Sequence, residues 1–169
     1  MSELLASAKL YKNNDSSTLN GSVLQGKVVG LYFSAHWCPS RRNFTPVLKD
    51  FHGELEDSGE FEIVFVSFDR SEKDLKTYLE EAHGDWYYLG LDDPLIKELA
   101  TKYDVSGIPA LIIIKPNGDI VTKNGRSDVK GRPLQPPLLL GRVLKQSDPQ
   151  LFLLRIHYNS CKSTVLFTQ

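Results

Sequence analysis

Cysteine is scarce in this chain of 169 residues, which contains only two. Two cysteines are too few to cross-link a small secreted scaffold, so the composition favours a reducing compartment. The amino terminus lacks a basic segment followed by a sustained apolar run, which argues against a secretory signal. No apolar stretch approaches membrane-spanning length. We therefore expect a cytoplasmic location, with the nucleus as an alternative.

An excess of charge of one sign is also missing, because 20 basic residues face 21 acidic ones. A nearly neutral chain offers no bulk electrostatic attraction to nucleic acid or to a membrane surface. Gly-rich phosphate-binding loops are absent. His52, His83 and His157 have no cysteine or acidic residue at the spacing of a metal site. We therefore predict no metal, no nucleic-acid partner and no membrane partner.

The chain does contain an alternating pattern of strands and helices. Short apolar runs rich in β-branched and aromatic residues indicate strands, whereas apolar residues at three- and four-residue steps indicate helices. Residues 9–26 are polar and rich in turn formers, which fits a short hairpin or a loop. The predicted strands cover 27–33, 61–68, 86–89, 110–114 and 120–122. The predicted helices cover 39–55, with an apolar stripe over 44–55, and then 71–82 and 92–103. This order is typical of an α/β layer sandwich whose sheet ends in a hairpin.

One of the two cysteines, Cys38, lies where the first of these strands passes into a helix. The joining segment reads Ala35-His36-Trp37-Cys38-Pro39-Ser40-Arg41. Pro39 would occupy the first helical turn, where its missing N–H costs nothing. The free N–H groups and positive dipole end of a helix favour the thiolate form of a cysteine over the thiol. The sequence therefore predicts that Cys38 is reactive.

The run from Tyr32 to Pro39 and the later Phe44-Thr45-Pro46 resemble the active-site region of the nucleoredoxin and tryparedoxin branch of the thioredoxin superfamily. The runs at 64–69, 108–109 and 116–118 follow in the order that this branch has them, so the resemblance covers roughly residues 20–126. It implies a thioredoxin-like three-layer sandwich, with a central mixed sheet flanked by helices. It also implies thiol–disulfide exchange on protein disulfides or on a docked extended peptide.

The resemblance also assigns roles to individual residues. Cys38 would be the catalytic nucleophile, and Trp37 would be an exposed aromatic lip that covers the thiolate. Side-chain chemistry, rather than the resemblance, adds that Pro39 and Arg41 would frame the thiolate and tune it, since a nearby cation favours the charged form. Ile108 and Pro109 would dock the peptide by backbone hydrogen bonds. A proline just before a strand needs no such role, but the resemblance implies a cis Ile108–Pro109 bond.

Three other residues near Cys38 have plainer interpretations. Tyr32 stands where ordinary thioredoxins carry a buried acid, and we interpret it as a buried core tyrosine. His36 could polarise Cys38, but a residue two positions before the nucleophile usually points into solvent. Asp69 ends the second strand at the same sheet edge, where it could contact a substrate or simply start the next turn.

One departure from the family bears directly on the mechanism. The family's pattern is Trp-Cys-Pro-Pro-Cys-Arg, whereas here Ser40 replaces the second proline and Arg41 replaces the second cysteine. A second thiol normally resolves the mixed disulfide that the first one forms. Cys161 lies far along the chain, in a segment unlike the family. Turnover by the usual dithiol route is therefore excluded unless Cys161 reaches Cys38.

Two classes of function remain open. The chain could be a monothiol oxidoreductase that forms mixed disulfides at Cys38, with no cofactor except an external thiol such as glutathione to complete turnover. Alternatively, it could be a redox-inactive or redox-sensing binding module that uses the same groove. An iron–sulfur-binding monothiol glutaredoxin is disfavoured, because that family's Cys-Gly-Phe-Ser signature differs from Cys-Pro-Ser-Arg.

Residues 131–169 also depart from the family. They hold five basic residues and one acidic residue, whereas residues 1–130 hold 15 basic and 20 acidic ones. Their prolines interrupt any helix over 133–137. We therefore predict a thioredoxin-like domain over 1–130 and an atypical Pro-rich, basic and apolar tail over 131–169. The tail either replaces the family's last helix as an alternative ending or forms a short helix at 138–145 or 150–158, and limited proteolysis would separate these possibilities. The oligomeric state is left open.

Overall fold

The structure is a computed structural model that describes residues 3–13, 15–56 and 59–130. Its strands are β1 (Lys9–Lys12), β2 (Asp15–Asn20), β3 (Val28–Ser34), β4 (Phe61–Ser67), β5 (Tyr87–Leu89), β6 (Ala110–Ile114) and β7 (Ile120–Thr122). Its α-helices are α1 (Glu3–Ala6), α2 (Arg41–Glu56), α3 (Glu72–Glu81), α4 (Pro94–Lys102) and α5 (Gly125–Lys130). A 3₁₀ helix covers Gly21–Leu24.

All seven strands belong to one mixed sheet, in the order β2-β1-β5-β4-β3-β6-β7. The central strands β3, β4 and β5 are parallel, whereas β6 runs antiparallel to β3 and the outer pairs are antiparallel. The predicted mixed sheet and the closing hairpin are thereby confirmed. Of the two alternatives for residues 9–26, a hairpin or a loop, the structure forms the hairpin. Ser34 is paired with Ser67 where β3 and β4 end. The residues that follow these two strands therefore meet at one edge of the sheet.

Helices cover both faces of this sheet, as the layer-sandwich prediction requires. On one face, Leu31 and Phe33 of β3 belong to the same buried cluster as Leu99 of α4. On the other face, the ring of Tyr32 lies 5.7 Å from that of Phe44 in α2. Alternate residues of a strand point to opposite faces of the sheet. Because helices cover both faces, β3 is buried along its whole length. The three-layer thioredoxin-like fold class is confirmed.

The starts of α3 and α4 follow the sequence signals that predicted them. The Ser71 side chain accepts a hydrogen bond from the backbone N–H of Asp74, and the Asp93 side chain accepts one from that of Leu95. Both contacts satisfy N–H groups that a helix leaves free at its first turn. Pro94 is the first residue of α4, where its ring is tolerated.

Helix α2 begins two residues later than the sequence indicated. The prediction placed Pro39 in its first turn, but regular helix begins at Arg41. The backbone N–H groups of Arg41 and Arg42 donate to the carbonyl oxygens of Cys38 and Pro39, at 3.3 and 3.1 Å. These bonds span three residues rather than four, so the chain forms a tighter turn over Pro39 before it becomes α-helical.

Helix α5 was not predicted. Its six residues, Gly125–Lys130, contain Val129 as their only large apolar side chain, so they carry no helical period that a sequence could show. The division at residue 130 stays a prediction, because residues 131–169 lie outside the described part of the chain. Within the described ranges, no helix is both long enough and apolar enough to cross a membrane.

Candidate active site

Cys38 lies in the turn between β3 and α2, at the edge where β4 also ends. Its backbone N–H donates to the carbonyl oxygen of Ala35 at 3.1 Å, which closes the turn. The residue is 5% exposed. Its sulfur lies 3.6 Å from the carbonyl oxygen of Ile108, in the geometry of a thiol that donates a weak hydrogen bond. The structure therefore brings Cys38 and Ile108 together, although 70 positions separate them.

The Ile108–Pro109 peptide bond beside Cys38 is cis, which is the isomer that the resemblance implied. Ile108 is half-buried and Pro109 is buried. The Pro109 carbonyl oxygen accepts a hydrogen bond from Arg126 Nη1 at 2.9 Å. The Arg126 guanidinium also lies 5.5 Å from the centre of the Phe44 ring. The unpredicted helix α5 therefore supports the segment that contacts Cys38.

Trp37 is one of the two exposed large hydrophobic residues in the described chain, with 51% of its surface accessible. Its indole Nε1–H donates to the carbonyl oxygen of Phe68 at 3.2 Å. The Arg70 guanidinium lies 5.8 Å from the centre of the indole ring. One polar contact and one cation–π contact thus hold the ring in a fixed direction, while most of its surface stays open to a partner.

Asp69 has a role that the sequence left open. It is 8% exposed, and its Oδ1 accepts a hydrogen bond from the backbone N–H of His36 at 2.7 Å. Its Oδ2 accepts one from the Ser67 hydroxyl at 2.8 Å. Asp69 therefore ties the end of β4 to the Cys38 turn. The signal available in the sequence was an acidic residue at the end of a buried parallel strand.

Arg41 is turned back into the protein, and its side chain is 4% exposed. Its Nε donates to the carbonyl oxygen of His36 at 3.0 Å. Its Nη2 lies 3.6 Å from Oε2 of Glu81, a carboxylate oxygen that is also 3.6 Å from Nε2 of His36. The guanidinium lies 4.7 Å from the centre of the Tyr78 ring. These contacts hold the turn around Cys38, whereas tuning of the thiolate by Arg41 stays a prediction.

A chain of buried hydroxyl groups lies under the turn. Tyr32 is fully buried, as predicted, and its hydroxyl lies 2.9 Å from that of Thr45. Thr45 lies in turn 3.3 Å from the hydroxyl of Tyr78. Burial raises the pKa of the Tyr78 phenol well above its ordinary range. This tyrosine is therefore a neutral structural group.

Taken together, these contacts surround a single described thiol, Cys38, and define a candidate active site. Cys38 stands at the start of α2, next to an exposed aromatic ring and opposite a backbone segment that ends at a cis proline. Such a site can form one covalent bond to a sulfur and can hold an extended chain beside it. The fold and this site together define a thioredoxin-like protein.

Comparison with known proteins leads to the same class. The sequence profile of the family described as Thioredoxin-like matches residues 26–120. Nucleoredoxin from Mus musculus is 42% identical over 122 residues, which cover 71% of this chain and 27% of the mouse protein. The chain thus spans about a quarter of the length of that relative.

Solved structures agree with the sequence relatives. A thioredoxin from Wuchereria bancrofti is 50% identical with a TM-score of 0.71, and the match covers 84% of this chain and 97% of the other. Tryparedoxin I from Leishmania major is 36% identical with a TM-score of 0.67, over 75% and 86% of the two chains. The chain therefore belongs to the Thioredoxin-like family, in its nucleoredoxin and tryparedoxin branch. This membership supports the general class of thiol–disulfide oxidoreductase.

Proposed function

We propose that this protein is a monothiol thiol–disulfide oxidoreductase that acts on protein disulfides through mixed disulfides at Cys38. The observation that carries the proposal is the position of the Cys38 sulfur, 3.6 Å from the Ile108 carbonyl oxygen and beside the exposed Trp37. A target sulfur that approaches Cys38 would have a peptide backbone on one side and an aromatic ring on the other.

In the first step, the Cys38 thiolate attacks one sulfur of the target disulfide. A bond forms between Cys38 Sγ and that sulfur, the bond between the two target sulfurs breaks, and the released thiolate takes up a proton from solvent. Ile108 and Pro109 would dock the target as an extended peptide by backbone hydrogen bonds. Pro39 and Trp37 would frame the thiolate, and Arg41 would favour its charged form.

The second step needs a thiol from outside the protein, because Arg41 stands at the position of the family's second cysteine. A low-molecular-weight thiol of the glutathione class attacks the Cys38 sulfur, releases the reduced target and leaves a mixed disulfide of Cys38 with that thiol. A second molecule of the same thiol frees Cys38 and leaves as the oxidised dimer. Two external thiols are thus oxidised for each target disulfide reduced. We further propose that this takes place in a reducing compartment, the cytoplasm or the nucleus.

Insulin reduction in the presence of glutathione tests this proposal. We expect turnover that depends on glutathione, that Cys38→Ser abolishes, and that Cys161→Ser preserves. Retention of activity in Cys38→Ser, or loss of activity in Cys161→Ser with Cys38 intact, would overturn the monothiol assignment.

A second candidate function is a protein-binding module that uses the same groove without turnover. The observation that favours it is the burial of Cys38, which is 5% exposed and whose sulfur is already engaged by the Ile108 carbonyl oxygen. In that case Cys38→Ser would leave partner binding unchanged, whereas substitution of the exposed Trp37 by alanine would weaken it. The insulin assay would then show no turnover in any variant.

A further inference from the structure

Both backbone polar groups of His36 are held by buried charged side chains of opposite sign. The N–H donates to Oδ1 of Asp69 at 2.7 Å, and the carbonyl oxygen accepts from Nε of Arg41 at 3.0 Å. Asp69 follows β4 and Arg41 begins α2. Side chains from two separate parts of the fold therefore hydrogen-bond to the backbone of His36. Charged partners make such hydrogen bonds shorter and roughly twice as strong as neutral ones.

The Arg41 guanidinium is itself held on further sides. The Glu81 carboxylate lies 3.6 Å from it, and the Tyr78 ring lies 4.7 Å away. A long cationic side chain is rarely buried unless it is paired. Here burial to 4% exposure comes with partners from α3 and from the turn. Arg41 is therefore built into the site rather than placed on its surface.

We infer that Arg41 and Asp69 are positioning residues that clamp the backbone of His36, one at each of its two flanking peptide groups, and so fix the direction of Trp37 and Cys38, the next two residues. Arg41 stands where the family has its second cysteine, so the replacement that removes a resolving thiol also supplies half of the clamp. The inference rests on the proposed function where it concerns disulfide exchange at Cys38. The clamp itself can be measured without that chemistry.

The choice of substitution follows from the contacts. Arg41→Met keeps an unbranched stem that can pack on Tyr78 but removes the donor to His36 and the positive charge. Arg41→Lys is expected to rescue only in part, because its single ammonium cannot contact His36 and Glu81 with the fixed geometry of a guanidinium. Arg42→Met is the matched control, since Arg42 is the exposed neighbour in the same turn of helix.

The experiment compares the full-length chain carrying Cys161→Ser with the same chain carrying R41M, R41K, D69A or R42M. The first readout is the rate of mixed-disulfide formation between Cys38 and a short peptide disulfide. We expect R41M to slow it by about tenfold, the effect of losing one charge-assisted hydrogen bond. R41K should lie between R41M and the parent, and R42M should match the parent.

Tryptophan fluorescence supplies a readout that needs no thiol. Trp37 is 51% exposed and Trp86 is fully buried, so acrylamide quenching reports chiefly on Trp37. R41M and D69A should each change the extent to which acrylamide quenches Trp37 fluorescence. The fluorescence of Trp86 should stay protected from the quencher. Urea unfolding checks that each variant is folded. If D69A is not folded, D69N is used in its place.

The double variant R41M/D69A decides whether the two residues act as one device. Because both hold the backbone of the same residue, their effects on the exchange rate and on quenching should be clearly less than additive. Additive effects, or an R41M that behaves as R42M, would overturn the inference. If the parent forms no mixed disulfide, the proposed function fails, and the quenching data alone still decide the clamp.

Discussion

At the scale of single residues, the site is shaped by what Arg41 does in place of a cysteine. A thiol there would lie on the first turn of α2, within reach of Cys38. The guanidinium instead contacts the His36 carbonyl oxygen, the Glu81 carboxylate and the Tyr78 ring. No atom of Arg41 can attack a disulfide. Under the proposed function, mixed disulfides at Cys38 therefore wait for a thiol from solution.

The substitution Arg41→Cys restores the family's second cysteine and therefore tests the role of Arg41 directly. In Arg41→Cys, the introduced thiol should attack the mixed disulfide between Cys38 and a target, release the target and form an internal disulfide with Cys38. We expect this to be at least about tenfold faster than decay of the same mixed disulfide in the parent, because a linked thiol acts at an effective concentration of roughly mM or more. Intact-mass spectrometry in the Cys161→Ser background would follow the loss of the adduct. Arg41→Ser is the control, because it removes the same contacts without adding a thiol.

A second residue-scale prediction concerns His83, whose ring packs against that of Trp86. Burial lowers its pKa to about 4 from the ordinary 6.5, and its Nε2 donates to the Trp86 carbonyl oxygen at 3.0 Å. Between pH 6.5 and pH 4 the unfolded chain binds a proton at this histidine and the folded protein does not. Its contribution to stability is therefore complete above about pH 6.5 and is lost as the pH falls, on the order of 3 kcal/mol in all.

Urea unfolding at pH 7.5 and at pH 4.5 measures this dependence. His83→Gln should lose less stability between the two pH values than the parent, since the titrating group is gone. An equal dependence in His83→Gln and the parent would contradict the assignment.

At the scale of secondary-structure elements, α5 connects the packing of the sheet to the site. It lies against β6 through Gly125, where an added Cβ would lie 2.7 Å from the Leu111 carbonyl oxygen. The next residue, Arg126, donates to the Pro109 carbonyl oxygen. The close approach that glycine permits therefore places a cation against the segment that faces Cys38.

Two glycine substitutions test this packing with opposite expected signs. Gly125→Ala should destabilise the protein by about 1–3 kcal/mol, because the Leu111 backbone cannot move aside. Gly53→Ala in α2 should stabilise it by about 0.5–1 kcal/mol, because nothing beyond the adjoining residues and the helix's own backbone lies within 4 Å of the new Cβ and alanine favours the helix. Both changes in the free energy of unfolding are measured from the shift in the urea midpoint, provided that the dependence of that free energy on urea concentration is unchanged. A neutral Gly125→Ala would show that α5 is not packed as described.

At the scale of the whole molecule, the sequence predicted the sheet and the position of Cys38, because these depend on strong local patterns. The β3 run is buried on both faces. Ser71 and Asp93, which marked the predicted starts of two helices, are the residues that cap α3 and α4. Tyr32 was correctly placed in the core on a different ground, its match to the tryparedoxin-like branch.

What the sequence could not predict depends on contacts between distant segments. A long cationic side chain such as Arg41 is usually solvent-exposed, so nothing local indicated that it would be buried against Tyr78. Asp69 was noticed, but its partner, the backbone of His36, is 33 positions away. Helix α5 and Arg126 were missed because so short a helix with one large apolar residue has no period.

The central claim is that Cys38 exchanges with disulfides through a single thiol, and the most direct measurement is the mass of the intact protein after incubation with a peptide disulfide. We predict one adduct per chain at Cys38, present in Cys161→Ser, absent in Cys38→Ser, and removed by glutathione with release of the free peptide thiol. An unmodified protein under conditions where a free cysteine peptide reacts would contradict the claim and leave a thioredoxin-like binding module.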